Sequence, residues 1–145
     1  MIIQKEDFSE FRKEASSLIA PYLSEIVSAF EKEIDWDNYQ GLSDGGFLHV
    51  IGAREGGVLK GFLALFVFFH PNAKGVKVAQ EVGMFLLPEE RKGLAGARLI
   101  RSAKKLAREL GCRYMTITTR PGKELGPLLT ALGGKAIETT YLMEI

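Results

Sequence analysis

Cysteine is almost absent from this 145-residue sequence. Cys112 stands alone, so no internal disulfide can form, and a reducing, cytoplasmic setting is the default expectation. Histidine is nearly as scarce. His49 and His70 lack companion cysteines and metal-ligand spacing, so no metal site is expected. An excess of either charge is missing too, with 19 Lys and Arg set against 18 Asp and Glu for a net charge of +1. A general nucleic-acid binder needs surplus cations to displace counterions from phosphate, which argues against that class. Long apolar runs are also lacking. The most apolar one, residues 61–69, falls far short of the roughly 20 residues of a membrane helix. The start, Met1-Ile2-Ile3-Gln4-Lys5-Glu6-Asp7, has neither the basic region nor the apolar stretch of a signal peptide. The expectation is a soluble protein with no membrane partner.

What is present is enough for one core. Hydrophobic residues make up 46% and charged ones 26%, a balance that argues against a disordered chain and predicts a single domain over residues 1–145. Phe8, Phe11, Ala15, Leu18 and Ile19 fall on one helical stripe, which Pro21 interrupts. A second amphipathic stretch carries Tyr22, Ile26, Val27, Phe30 and Ile34. The acidic, aromatic segment Asp35-Trp36-Asp37-Asn38-Tyr39 reads as a linker, and Gly41 with Gly45-Gly46 as a turn into strands.

From Phe47 the chain reads as extended. Residues 47–54 and 58–69, joined by Glu55-Gly56-Gly57, predict a hairpin. Residues 63–69 are apolar at every position, which suits a central strand covered by helices on both faces. After a loop at 70–75, residues 76–87 give a third strand. The helix that follows the next turn buries Leu99, Ile100, Ala103, Leu106, Ala107 and Leu110 and stops at Gly111. Residues 114–119 are strand-like, 123–132 form a short helix and 136–145 a last strand. Helix, helix, three strands, helix, strand, helix, strand is the pattern of a mixed α/β (α+β) fold.

The most informative unit is the strand, glycine-bearing turn and helix across residues 82–110. A helix that begins straight after such a turn leaves backbone N–H groups without internal partners, and its dipole adds partial positive charge there. A phosphate or pyrophosphate is the natural occupant. Gly93 and Gly96 permit close backbone approach, while Arg91 and Lys92 supply positive charge. The same glycines equally suit an ordinary strand-to-helix turn. The segment is neither a P-loop nor the GxGxxG of a dinucleotide site.

These residues resemble the GNAT superfamily of N-acetyltransferases, whose acyl-CoA signature is Arg or Gln, two residues, Gly, one residue, Gly or Ala. Arg91 matches the first position and Gly96 the sixth; the fourth is Leu94, with Gly93 one place early. Leu87-Pro88-Glu89-Glu90-Arg91 resembles the family's strand exit. Over nearly its whole length the chain is similar to the phage and prophage branch. The segments 35–39, 53–61, 79–96, Leu125-Gly126-Pro127-Leu128-Leu129 with Leu132-Gly133, and Glu138-Thr139-Thr140-Tyr141 carry that likeness, in this order.

The resemblance implies a GNAT fold: a central mixed, mostly antiparallel sheet, flanked by helices on both faces, that splays open between the strand ending at Leu87 and the one starting near Arg113. It implies acetyl-CoA (CoA) as cosubstrate and no metal. The pantetheine arm would bond to backbone near Phe85, Leu86 and Leu87, and the pyrophosphate would sit on the N–H groups of Lys92, Gly93, Leu94, Ala95 and Gly96. Arg91 would add charge, with Arg98 in the first helical turn in reach of a CoA phosphate. A strand N–H would polarise the thioester carbonyl. The acceptor would be a primary amine, on a small molecule or a peptide, attacking directly.

Alkylamines are mostly protonated at pH 7, with a pKa of about 10.4, so a general base is needed. Glu81 is the candidate, because it starts the strand that would carry the thioester; the other reading is an ordinary strand-end carboxylate. Gln80 alternates onto the opposite face. The family's tyrosine, in the last helix, is Leu129 here. Tyr141, Tyr114 or water would then protonate the CoA thiolate, unless both tyrosines are simply half-buried strand aromatics. The family's asparagine is also missing, since Thr118-Thr119-Arg120-Pro121 stands there.

Other readings stay open. His70 is a base or a solvated loop residue. Trp36 and Tyr39, with Asp35 and Asp37, border an amine-binding mouth or pack helices onto the sheet. Cys112 reads as a small buried residue. The whole chain is an N-acetyltransferase, or a catalytically silent acyl-CoA-binding or phage accessory module of the same fold, or an interaction domain built around Trp36. A homodimer is compatible with all three.

Overall fold

The computed structural model describes residues 1–26, 30–120 and 124–145. Among the described residues, five strands and five α-helices follow one another as β1 (Ile2–Glu6), α1 (Phe8–Glu14), α2 (Ser16–Ser24), α3 (Trp36–Asp44), β2 (Leu48–Glu55), β3 (Val58–Phe69), β4 (Lys77–Leu86), a 3-10 turn (Pro88–Glu90), α4 (Ala95–Glu109), β5 (Tyr114–Thr116) and α5 (Gly126–Ala131). The sheet order is β1-β2-β3-β4-β5. The first three pairings are antiparallel, and β4 pairs β5 in parallel. The mixed, mostly antiparallel sheet with helices on both faces is as expected.

Strand β3 explains its own composition. Leu63, Leu65 and Val67 point to a core shared with Leu99, Ile100 and Ala103 of α4, whereas Leu59, Phe62 and Ala64 face Phe8, Phe11, Leu18 and Tyr22 from α1 and α2. A strand buried on both faces has no polar side, so the period-2 signal vanishes. Helix α4 buries Leu99, Ile100, Ala103, Leu106 and Ala107 on one stripe. Its end is a Schellman motif: Cys112 N–H donates to the Ala107 carbonyl (2.9 Å) and Gly111 N–H to the Arg108 carbonyl (3.0 Å), with Gly111 at φ +84°.

Several elements differ from expectation. The first helix breaks at Ala15, not at Pro21, which lies inside α2. Ser17, whose carbonyl loses its helical N–H partner to that proline, is exposed, so water can serve it. Of the second stretch, residues up to Ser24 are helical, Ile26, Phe30 and Ile34 are not, and Val27 lies outside the described residues. The segment that reads as a linker begins α3, because Asp35 caps it by accepting the Asn38 N–H (3.0 Å) while Trp36, Tyr39 and Leu42 pack on the aromatic core. Strand β1 has no forerunner in the sequence pattern. Residues 2–6 have no clean alternation, and they pair because β2 offers them a free edge. Residues 136–145 form no strand. They are exposed throughout, and β5, three residues long, gives them no ladder to extend. Lys123, the expected start of the last helix, lies outside the described residues; α5 runs from Gly126.

Candidate functional site

The sheet opens where β4 outlasts β5. Their ladder consists of Val78↔Tyr114, Ala79↔Met115 and Gln80↔Thr116, after which β4 continues to Leu86 with no strand paired on that side among the described residues. Just past this point the β3–β4 register shifts: Leu65 faces Glu81 and Ala64 faces Gly83, leaving Val82 as a bulge. A bulge bends its strand and redirects side chains. Beyond it, Leu87 N–H donates to the Lys60 carbonyl on β3 (3.0 Å). Antiparallel alternation then turns the N–H groups of Leu86 and Met84 toward the unpaired edge.

Glu81 occupies the fork. It is 8% exposed, and its Oε2 accepts the Thr118 N–H across the opening at 3.2 Å. Burial pushes its carboxyl above the usual carboxylate range, opposed by the Thr118 hydrogen bond and the Arg120 charge, and reinforced by Glu31. Arg120 itself is paired with Glu31 at 3.3 Å. The phenols of Tyr22 and Tyr39 are pushed up as well, mainly by burial, with the Glu31 and Glu81 charges adding to it. Beside this group a small cavity of about 40 Å³ lies among Phe8, Phe11, Tyr22, Tyr39, Phe62 and Gly83.

The turn after β4 is fastened by Arg91. Its Nε donates to the Leu86 carbonyl (2.8 Å), its terminal nitrogen grips Glu25 (2.6 and 2.8 Å), and the guanidinium lies over the Phe85 ring. The sequence suggests a free cation here, whereas the fold ties it to α2's C-terminal end. Lys92 is exposed and makes no ion pair among the described residues. Gly93 takes φ +74°, a conformation that side chains resist. Leu94 cannot cap α4, so the helix's first N–H groups have no side-chain partner. Gly96 faces the space between Leu86 and Leu128, where an added Cβ would meet nothing closer than 3.9 Å. Ala95 starts the helix beside it.

Other candidates lie elsewhere. Arg98 donates to the Met1 carbonyl (3.0 Å), beside the start of β1. Tyr141 is 82% exposed in the irregular C-terminal segment, and Tyr114 pairs Val78 at the ladder's far end from the fork. Leu129 packs against the α4 core. His70 Nδ1 accepts the Asn72 N–H in the β3–β4 loop. Of the acidic pair, Asp35 caps α3 and Asp37 pairs Arg12, although Trp36 and Tyr39 do line the small cavity. Cys112 is half-buried, its thiol pushed up by burial. Sequence reasoning missed Tyr22, Glu31 and Arg120 as site residues; a tyrosine on an amphipathic stripe carries no signal that separates it from core.

A splayed mixed α/β sheet with an uncapped helix start beside the open edge forms the candidate cleft. The sequence profile of the acetyltransferase (GNAT) family matches residues 8–125, and the chain belongs to that family. A ribosomal-protein-alanine N-acetyltransferase from Brucella melitensis biovar Abortus 2308 superposes with a TM-score of 0.74 at 19% identity, over 100% of both chains. A predicted acetyltransferase from Clostridium acetobutylicum, with acetyl-CoA, gives 0.77 at 13% identity over 99% of this chain and 95% of that one. An aminoglycoside N-acetyltransferase in complex with CoA gives 0.69 at 19% identity, over 99% and 98%. No curated protein matches the sequence. Among the described residues no group of side chains suits a metal ion, and no helix is long and apolar enough to cross a membrane.

Proposed function

We propose that the chain, acting as one domain over residues 1–145, transfers an acetyl group from acetyl-CoA to a primary amine, with Glu81 as general base. The observation that carries this reading is Glu81 itself: a buried carboxyl of raised pKa at the fork of the sheet, next to the stretch of β4 whose edge is open. The residues present suit CoA. The unpaired edge by Phe85, Leu86 and Leu87 takes the pantetheine amides. The uncapped N–H groups from Lys92 through Gly93, Leu94 and Ala95 to Gly96 take the pyrophosphate, with no side chain on Gly96 to stand in its way. Bound there, acetyl-CoA supplies an activated acyl carbon.

Glu81 takes the proton that the nitrogen loses as a C–N bond forms at that carbon and the C–S bond breaks; the CoA sulfur leaves as thiolate and is protonated by water. Met84 N–H, on the open edge, would polarise the acyl oxygen. The small-molecule and protein acceptors named for the similar structures, aminoglycosides and ribosomal-protein alanine, are all amines, in keeping with this chemistry. The ordered phage-like segments favour that branch of the family, and acetyl-CoA use with one lone cysteine favours the cytoplasm.

Isothermal titration with acetyl-CoA tests the reading directly. Heat of binding is expected at protein concentrations on the order of 10 μM, and its absence from a folded sample sinks the proposal. Gly96→Asp is expected to abolish binding by placing an anion where the pyrophosphate belongs, yet to fold normally, since the site has room and an acid in the first turn suits the helix dipole. Leu129, apolar where the family carries tyrosine, favours one second reading, a silent acyl-CoA binder. Tight CoA binding without thiol release over polyamines, aminoglycosides, amino acids and peptides would select it.

A further inference from the structure

Tyr22 poses a question that the reading above does not answer. The residue is 9% exposed, and its hydroxyl has no hydrogen-bond partner among the described residues. Buried phenols nearly always find one. The ring is clamped edge-on by Phe62 (5.3 Å between centroids) and Phe85 (6.0 Å), so the oxygen cannot swing away to water. It rests over β4 at Gly83, one residue after the bulge. A Cβ built on Gly83 would lie 3.0 Å from that oxygen, so a side chain there would crowd the hydroxyl by a few tenths of an ångström. An unpartnered donor fixed against the backbone of the candidate strand is the signature of a group that serves a ligand.

Size and charge narrow that ligand. The cavity that Tyr22 and Gly83 share with Val82 and Phe62 holds about 40 Å³. At roughly 10–15 Å³ of such volume per water, the space suits a group of two or three heavy atoms. A phenol pushed up by burial stays protonated at neutral pH and acts as a donor. Glu81 is already the acceptor for the amine's proton. The complementary task is donation to an oxygen that gains negative charge; Tyr39 lines the same cavity and Arg120 is engaged by Glu31, but Tyr22 is the donor whose oxygen rests on β4 at Gly83.

We infer that the Tyr22 hydroxyl donates a hydrogen bond to the acetyl carbonyl oxygen of bound acetyl-CoA, above Gly83 and beside the Met84 N–H. This rests on the acetyl-CoA reading of the β4 edge. With the pyrophosphate at the start of α4 and the arm running back along β4 from Leu87, the acetyl end arrives at the bulge. A neutral donor held in a dry site strengthens its bond as charge develops on the oxygen and needs no reorganisation to do so.

Tyr22→Phe removes one oxygen and keeps the ring contacts. Titration of wild type and variant with acetyl-CoA and with CoA, alongside melting of each free protein, tests the inference. Wild type is expected to prefer acetyl-CoA to CoA; in the variant acetyl-CoA affinity falls about tenfold while CoA affinity holds, the worth of one buried hydrogen bond. The free variant melts no lower than wild type, because the lost oxygen had no partner. With carbonyl-13C acetyl-CoA, the bound C=O stretch should lie lower in wild type than in the variant. Equal losses for both ligands, an unchanged acetyl-CoA affinity, or a lower melting temperature of the free variant overturns the role of Tyr22. A wild type that binds neither ligand overturns the acetyl-CoA reading and the inference together.

Discussion

Glu81 is the base of the proposed reaction, and two environments meet on it. Burial disfavours its charged form, while the Thr118 N–H and the Arg120 charge favour it, and burial prevails. Its folded pKa is therefore above its unfolded one, so the carboxyl contributes most to stability when protonated, and that contribution declines as pH rises through the interval between the two values. Glu81→Gln keeps an oxygen for Thr118 and removes a buried charge. It should melt at or above the wild-type temperature at pH 7 by calorimetry, while kcat/KM on an accepted amine drops roughly 10²–10⁴-fold. In wild type, kcat/KM should rise with pH through a midpoint above the ordinary carboxylate range; the variant should lack that limb. A variant with undiminished turnover would return Glu81 to an ordinary carboxylate. Glu81 can be picked from the sequence as the one acid within residues 76–87, although it lies in the middle of β4 and not at its start. Tyr22 cannot, since nothing in its neighbours along the chain places its oxygen over Gly83.

Elements are legible in proportion to their periodicity. Helix α4 declares itself through a long amphipathic stripe and its closing glycine, and the β2–β3 hairpin through two apolar runs around Glu55-Gly56-Gly57. Strand β1 and helix α3 do not: β1 pairs only because β2 has a free edge, and Gly41, lying within α3, gives that helix the composition of a turn. The β-branched and apolar residues of 136–145 suggest a strand, but such a segment makes a strand only where a partner edge exists. The close approach of β3 to β4 is a tertiary matter as well. A Cβ at Gly61 would lie 2.5 Å from both the Phe85 carbonyl and the Leu86 side chain. Gly61→Ala should therefore cost about 1–3 kcal/mol, read as a lower urea midpoint with an unchanged slope. Because Phe85 and Leu86 adjoin the proposed CoA edge, its acetyl-CoA affinity should weaken too.

At the scale of the molecule, a few long-range polar ties fix how the pieces sit around the cleft. Arg54 on β2 holds Glu6 of β1 (2.8 Å) and Glu14 of α1 (2.9 Å), with Arg54 and Glu6 both largely buried. Arg54→Met leaves Glu6 without its cation and should destabilise the fold by about 3–5 kcal/mol in chemical denaturation. A loss under about 1 kcal/mol would mean that the pair behaves as a surface bridge. Arg91 does the comparable work at the cleft by joining Glu25 to the end of β4.

The sequence by itself determined the mixed fold class, the two-faced central strand, helix α4 with its glycine-marked start, and the Arg91–Gly96 turn, because these rest on local periodicity and on residue types with narrow backbone preferences. Composition acts the same way: a single cysteine rules out an internal disulfide whatever the fold. Only the tertiary structure decided where the sheet parts, that Glu81 is buried at the fork, that Arg91 is engaged by Glu25, and that Tyr22 stands over Gly83. Each depends on residues far apart in the chain meeting at one point. Burial and register are properties of that meeting, not of any segment within it.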